Sequence, residues 1–184
     1  MGTKEKWNRL WAERGHATTG HTGFLDRVQH LLPERGRALD LAGGAGRNAT
    51  WLAARGLDVR ICDIAEQGLA LARTLADERG VKLHTELRDV EALGPPPGPW
   101  DLVLVVHFLH RPIFDALELS PGGILVFVQP TERNLERHER PSRRFLLQEG
   151  ELRGLLGSYR VLHFEEDWGV EGRHEARVVA QRAP

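Results

Sequence analysis

The four residues Gly43-Gly44-Ala45-Gly46 constrain this chain most, because of what flanks them. Before them runs a short apolar segment, residues 37–42, and after them a helical pattern from about Arg47 to Arg55, with Gly56 as its natural left-handed stop. Glycines at a strand-to-helix turn let the backbone approach a ligand closely and aim helix N–H groups at it. Gly44-Ala45-Gly46-Arg47-Asn48-Ala49 fits the dinucleotide pattern G-x-G-x-x-[GA], which is weak alone but stands here in the right context. The following strand, residues 57–62, ends at Asp63, where a carboxylate can accept two ribose hydroxyls. The plain alternative is a tight turn of any α/β protein with a surface Asp beside it. Context favours a nucleoside ligand.

Strand-like and helix-like segments alternate around that turn, which predicts a parallel sheet with crossover helices. Residues 66–79 read as a helix, with Leu69, Ala72 and Ala76 on one face and Gly80 closing it. Residues 81–87 read as a third strand, ended by Arg88-Asp89, and Pro95, Pro96, Pro97 and Pro99 as a stiff connection. Residues 101–106 are almost wholly apolar, as a strand buried on both faces should be. Arg111-Pro112 fits a helix start with Pro at its first position, and Pro121-Gly122-Gly123 turns into a further strand at 124–128. A helix is expected around 149–156. Residues 159–165 and 174–181, joined by a loop with Gly169 and Gly172, read as a hairpin, so the last strand should be antiparallel. Within residues 1–32, Trp7, Leu10 and Trp11, and then Phe24, Leu25, Val28, Leu31 and Leu32, lie at helical spacing. Both segments read as amphipathic helices packed on something larger, core packing being the first expectation for Trp7 and Trp11 and a lid over the ligand the second. With no repeat or linker, residues 1–184 are expected to form a single domain.

Composition narrows the function classes. The 184 residues, 41% hydrophobic and 28% charged, belong to a globular chain that needs no staple. The single cysteine, Cys62, excludes a disulfide framework and any multi-thiolate metal site; inside a buried strand it should be inert. A net charge of −1 gives no field for nucleic acid or membrane. Residues 132–144 hold five arginines and three glutamates, with Glu136/Arg140 and Glu139/Arg143 at helical pairing distance, so a solvated, self-paired surface is expected rather than a nucleic-acid patch. No apolar run suits a signal peptide or a membrane span, which makes a cytoplasmic location the default.

Charge then chooses the nucleoside. A pyrophosphate needs donors and no acids near the glycine turn. Here Asp40 leads into the turn, Asp63 and Asp89 end the next two strands, and only Arg47 opposes them. Two unit charges about 4 Å apart interact by roughly 4 kcal/mol at an effective dielectric near 20, so these acids would repel a pyrophosphate. They favour an adenosine ligand bearing an ammonium and a sulfonium, namely S-adenosylmethionine.

The run from Ala38 to Ala49, with Asp63 after it, resembles the glycine-rich signature of class I S-adenosylmethionine-dependent methyltransferases. Arg88-Asp89-Val90, Trp100-Asp101-Leu102-Val103 and Leu119-Ser120-Pro121-Gly122-Gly123 keep their places in the same pattern. The Gly-Arg-Asn-Ala wording and the run from Phe145 to Leu152 are similar to the small tellurite-resistance-related branch. The resemblance implies a Rossmann-like, mostly parallel seven-stranded sheet with an antiparallel last strand and helices on both faces. It also implies cofactor contacts at Asp40, Ala42, Gly43, Gly44, Gly46, Asn48, Asp63, Ile64, Asp89, Val90 and His107, with Asp40 and the turn around the methionine part, Asp63 at the ribose and Asp89 at the adenine. Ala42 departs from the family's usual Gly, adding a methyl that should tighten the site.

Methyl transfer is an in-line displacement, so alignment supplies most of the acceleration. A soft acceptor, such as a thiolate or a chalcogen oxyanion, needs little help from a base. The acceptor should lie beyond residue 106, which makes His107 the first catalytic candidate; its alternative is to cap the strand and line the cofactor by backbone. A metal on His107 and His110 lacks a third ligand, so none is expected. Arg173 and His174 fall where the related branch carries a His-Arg pair thought to act on substrate, in reversed order; Arg173 is otherwise a hairpin-surface charge. The expected partner is a small-molecule methyl acceptor, with no membrane and with nucleic acid disfavoured. A nicotinamide-dependent oxidoreductase and a non-catalytic cofactor-binding module are the rival readings.

Overall fold

The computed structural model describes residues 3–17, 20–169 and 172–183. Seven strands form one sheet: β1 (Arg37–Leu41), β2 (Asp58–Asp63), β3 (His84–Leu87), β4 (Trp100–Val106), β5 (Leu119–Pro130), β6 (Tyr159–Trp168) and β7 (His174–Arg182). Their order is β3-β2-β1-β4-β5-β7-β6. The first five pair in parallel, and β7 runs antiparallel to both β5 and β6, as the hairpin reading expects. Strand order reverses between β1 and β4, so the crevice outside their carboxyl ends is the natural ligand position.

Helices α1 (Thr3–Arg14), α2 (Phe24–Val28), α3 (Arg47–Ala54), α4 (Glu66–Arg79), α5 (Val90–Leu93), α6 (Ile113–Ala116) and α7 (Glu151–Leu155) surround the sheet. Alternation along each strand sorts side chains into two layers. Leu39, Leu41, Val103, Val105 and Phe127 pack with Ile113, Phe114 and Leu152 of α6 and α7. Ala38, Ile61, Leu102 and Leu104 pack with Phe24, Leu52 and Leu69 of α2, α3 and α4. Leu102 through Val105 are wholly buried, so β4 is covered on both faces. No helix among the described residues is long and apolar enough to cross a membrane.

Four details depart from the sequence expectation. The third strand begins at His84 rather than Val81, because Gly80 adopts a left-handed cap (φ 64°) and the Val81 N–H closes the end of α4 on the Ala76 carbonyl. The fifth strand begins at Leu119, paired with Trp100, and absorbs Pro121-Gly122-Gly123 as an irregularity in its ladder with β4. Between residues 131 and 146 only two short 3-10 turns form among the described residues, Glu132–Glu136 and Arg143–Phe145. The expected Glu136/Arg140 and Glu139/Arg143 pairs are absent there, and Arg133–Glu136 and Arg143–Glu132 pair instead, each at 2.9 Å. Pro141 disfavours helix at residue 140, and the Asn134 side chain is committed to Thr131 and His174. Finally, α1 buries no residue, so Trp7 and Trp11 are not core residues; Trp7 is 39% exposed.

Cys62 lies in β2 with no exposed surface, and burial pushes its thiol up to about 12. A thiol reagent such as Ellman's should therefore find no reactive thiol in the native chain at pH 8 and one on denaturation; fast native labelling would show that β2 opens.

Candidate functional site

The glycine turn is held from three sides. Leu41 pairs with Cys62 on one side and Val105 on the other, so the chain leaves β1 between the ends of β2 and β4. The Gly43 N–H donates to the Cys62 carbonyl and the Gly46 N–H to the Gly43 carbonyl, each at 3.1 Å. Gly46, in the left-handed region at φ 77°, opens α3. Ala42 is also left-handed, at φ 54°, although it carries a side chain. Gly43 is needed for space: a Cβ there would lie 2.6 Å from Oδ2 of Asp40 and 2.8 Å from Ile61.

Asp40 sits beneath this turn, 1% exposed, in the layer that holds Ile61 and Ala49. The Ala49 backbone N–H donates to its carboxyl, but Oδ2 has no partner among the described residues. Burial pushes the group up to about 7; the Asp63 charge adds to this, and the Ala49 N–H and Arg47 oppose it. Asp63, 7% exposed, accepts the Gly44 N–H on Oδ2 and the Ala65 N–H on Oδ1, both at 2.8 Å. Burial raises its pKa against those bonds. Asp89 follows β3 and accepts the Glu91 and Ala92 N–H groups at the start of α5. The structure thus brings Asp40, Asp63 and Asp89 to the carboxyl ends of three adjacent strands, Ile64 following Asp63 and Val90 following Asp89, with Asp40 buried beneath the turn.

Asn48 turns away from the crevice. It is 4% exposed, and its Oδ1 accepts the Thr22 N–H at 2.9 Å while Arg47 donates to the Thr22 hydroxyl at 3.2 Å. Together they latch the chain ahead of α2 onto α3. Trp11 of α1 lies over the turn instead: a Cβ on Gly44 would approach its ring to 2.6 Å and one on Gly68 to 3.0 Å. From the same helix, Asn8 accepts the Gln67 N–H at 3.0 Å, a cap that the first turn of α4 lacks locally. Sequence spacing announces neither contact, since α1 and α4 are far apart in the chain.

On the other side of the crevice, His107 leaves β4 in the left-handed region (φ 60°), its N–H held by the Val128 carbonyl at 2.9 Å. Its Nε2 reaches across the end of β5 to Oε1 of Glu175 on β7, 2.7 Å away. His174 and Glu175 are successive strand residues and face opposite sides of the sheet. His174 is 2% exposed, with Nδ1 at 2.7 Å from the Thr131 hydroxyl, Nε2 at 3.4 Å from Arg133, and Trp168 edge-on. Burial, reinforced by the Arg133 charge, lowers its pKa and favours the neutral ring. The structure therefore pairs His107 with Glu175, not with His174; Arg173 is exposed at the head of β7. Glu175 was missed in the sequence because an acid in a strand carries no motif. Among the described residues no group of three or more His, Cys, Asp or Glu is placed to hold a metal.

Residues 38–119 match a family described as a methyltransferase domain. The tRNA 5-carboxymethoxyuridine methyltransferase of Escherichia coli K12 is 33% identical over 114 residues, 55% of this chain and 43% of that protein. The ubiquinone biosynthesis O-methyltransferase of Xylella fastidiosa is 32% identical over 120 residues, 60% of this chain and 48% of that one. The chain spans about half the length of the curated relatives it matches. Among solved structures, TehB from Haemophilus influenzae shares the fold with a TM-score of 0.73 at 20% identity, over 96% of this chain and 67% of that one. An S-adenosylmethionine-dependent methyltransferase from Aquifex aeolicus gives 0.68 at 16% identity, over 98% and 99%.

Two outcomes follow from the turn. Ala42→Gly relieves a left-handed alanine, worth about 1–2 kcal/mol, against about 0.5–1 kcal/mol of added unfolded-state freedom. Calorimetric melting should rise by about 1–4 °C; a lower midpoint would show that the Ala42 methyl packs favourably. For Asp40, the folded state keeps the proton to about pH 7, whereas the unfolded chain releases it near 3.8, so stability falls as pH rises through that window. Asp40→Asn lacks this loss. In urea unfolding the variant should gain on the wild type between pH 4 and pH 8, by on the order of 4 kcal/mol in full. A difference independent of pH would mean that Asp40 ionises normally.

Proposed function

We propose, for a chain built on the class I S-adenosylmethionine-dependent methyltransferase domain, that it transfers a methyl group to a small-molecule acceptor at the crevice between the glycine turn and His107. One observation carries this: Asp40, Asp63 and Asp89 stand at the carboxyl ends of three adjacent strands, around the glycine turn that opens α3. A pyrophosphate would meet repulsion there, while a cationic adenosine compound would not. Ala42, Gly43, Gly44 and Gly46 would take the methionine part, with the half-neutral Asp40 stiffening the turn beneath. Asp63 and Ile64 would hold the ribose and Asp89 with Val90 the adenine. When bound, S-adenosylmethionine supplies a methyl group made electrophilic by its sulfonium.

The chain's own residues bind, orient and shield. Trp11, on Gly44 and Gly68, covers the crevice from the α4 side. His107 faces the acceptor, and Arg173 at the rim would receive an anionic one. His174 now reads as a pin that fastens residues 131–134 to β7. By name the relatives are a tRNA methyltransferase and an O-methyltransferase of ubiquinone biosynthesis. For this chain a small molecule is favoured over tRNA, because Arg111, Arg133 and Arg143 are each engaged by Glu151, Glu136 and Glu132 and offer no continuous track for phosphates. The fold likeness to TehB is in keeping with the tellurite-resistance-like wording of the sequence.

Titration calorimetry should show S-adenosylhomocysteine binding and no comparable response to NADH. Asp63→Asn should weaken that binding roughly tenfold or more while the protein still melts cooperatively. Asparagine keeps one of the two acceptors that hold Gly44 and Ala65 and alanine keeps neither, so the melting midpoint is read beside the affinity. Tight NADH binding with no response to S-adenosylhomocysteine would replace this proposal with an oxidoreductase.

A further inference from the structure

We infer that Glu175 is a positioning residue that holds His107 as a general base, and that the acceptor is consequently a hydroxyl, which must lose its proton as it takes the methyl group. This holds only for a chain that transfers methyl groups, as proposed above.

Burial pushes the Glu175 carboxyl up, but the hydrogen bonds from His107 and Arg177 and the charge of Arg177 oppose it, and the group lies below the usual carboxylate range. An ionised carboxylate only accepts, so the hydrogen it shares with His107 at 2.7 Å belongs to Nε2. The neutral ring then carries its lone pair on Nδ1, which has no hydrogen-bond partner among the described residues. Glu175 is itself fixed. Its Oε2 accepts from Nε of Arg177 at 3.1 Å, and Arg177, 5% exposed, donates to Asp167 at 2.6 Å and lies 3.6 Å from Glu165. The β6–β7 ladder sets Asp167 opposite Glu175 and Glu165 opposite Arg177. Glu165 in turn meets Arg27 of α2 at 2.9 Å. Buried ion pairs of this kind add little net stability, because desolvation offsets their attraction. What this chain of charges does is fix one imidazole, whose left-handed backbone is a second cost borne at the same place.

A positioned base serves only an acceptor with a proton to lose. A thiolate or chalcogen oxyanion already carries a free pair, whereas a hydroxyl attacks poorly until its proton leaves. As the acceptor oxygen bonds to the methyl carbon, the carbon–sulfur bond breaks and leaves its pair on sulfur. The hydroxyl proton passes to Nδ1 of His107. The positive ring is balanced by Glu175 and releases the proton to water from a side chain that is 31% exposed.

The test needs the full chain, ¹⁵N-labelled histidine and a panel of phenol, catechol, thiophenol, selenite and tellurite. Asn tolerates the left-handed region and can still donate toward Glu175, so His107→Asn should fold and keep S-adenosylhomocysteine affinity. Its spectrum also identifies the His107 signals by their loss. The wild type should show the Nε2–H tautomer, and Glu175→Gln a mixture; an Nδ1–H ring, or a tautomer unmoved by Glu175→Gln, overturns the assignment. His107→Asn should lower kcat on the phenols ~10²–10⁴-fold with little change in KM. Thiophenol, ionised at the assay pH, should lose only a few-fold. Equal losses across the panel, or no transfer to any hydroxyl by a chain that binds S-adenosylhomocysteine, also overturn it. If Glu175→Gln does not fold, the wild-type tautomer and the His107→Asn comparison still decide. Failure of the wild type to bind S-adenosylhomocysteine would instead remove the premise of methyl transfer.

Discussion

The Asp63 carboxylate is the interaction on which the site depends. One oxygen receives the Gly44 N–H and the other the Ala65 N–H, so a single side chain at the end of β2 joins the glycine turn to the start of α4. Without that clamp, the turn's backbone donors would be buried without partners, at a cost of about 1–3 kcal/mol each. The same clamp fixes where Trp11 rests, because Gly44 and Gly68 together form the shelf beneath its ring. A residue that a motif describes as a ligand contact is thus first a structural one, and any ribose it binds shares a carboxylate already oriented by backbone.

Charge around the turn is more graded than three free carboxylates. Asp40 is wholly buried and titrates near neutrality, Asp63 is raised by burial, and Asp89 is spent in part on capping α5. The preference for a cationic guest therefore rests chiefly on Asp63 and Asp89, with Asp40 able to gain charge when a cation arrives. This reserve has a cost in the free protein, since an ionised Asp40 is buried with an oxygen unpaired. Strain at Ala42 and at His107 lies on the two sides of the same crevice. These departures from ordinary backbone and ordinary ionisation gather where the chemistry is expected.

Most of the fold was legible in the sequence because its signals are local. The apolar run through Val103–Val105, the glycine turn after β1, the cap at Gly80 and the closing hairpin each state their role within a few residues. Where the expectation slipped, a neighbouring element intervened. The end of α4 claimed the Val81 N–H, Trp100 drew Leu119 into the ladder, and Pro141 with the Asn134 pin stopped a helix that charge spacing alone would allow.

The candidate site divides along the same line. The gathering of Asp40, Asp63 and the glycines around one turn was readable because a tight strand-to-helix turn sets those positions by local spacing. The sequence by itself determined a parallel α/β sheet with an acidic, glycine-lined crevice. Only the tertiary structure decided which face each side chain serves: strand alternation sends His174 into a buried knot and Glu175 to His107, 68 positions away in the chain, and turns Asn48 toward Thr22. A partner set by the packing of β7 beside β5 leaves no trace in local spacing, because strand pairing, not sequence distance, fixes that separation.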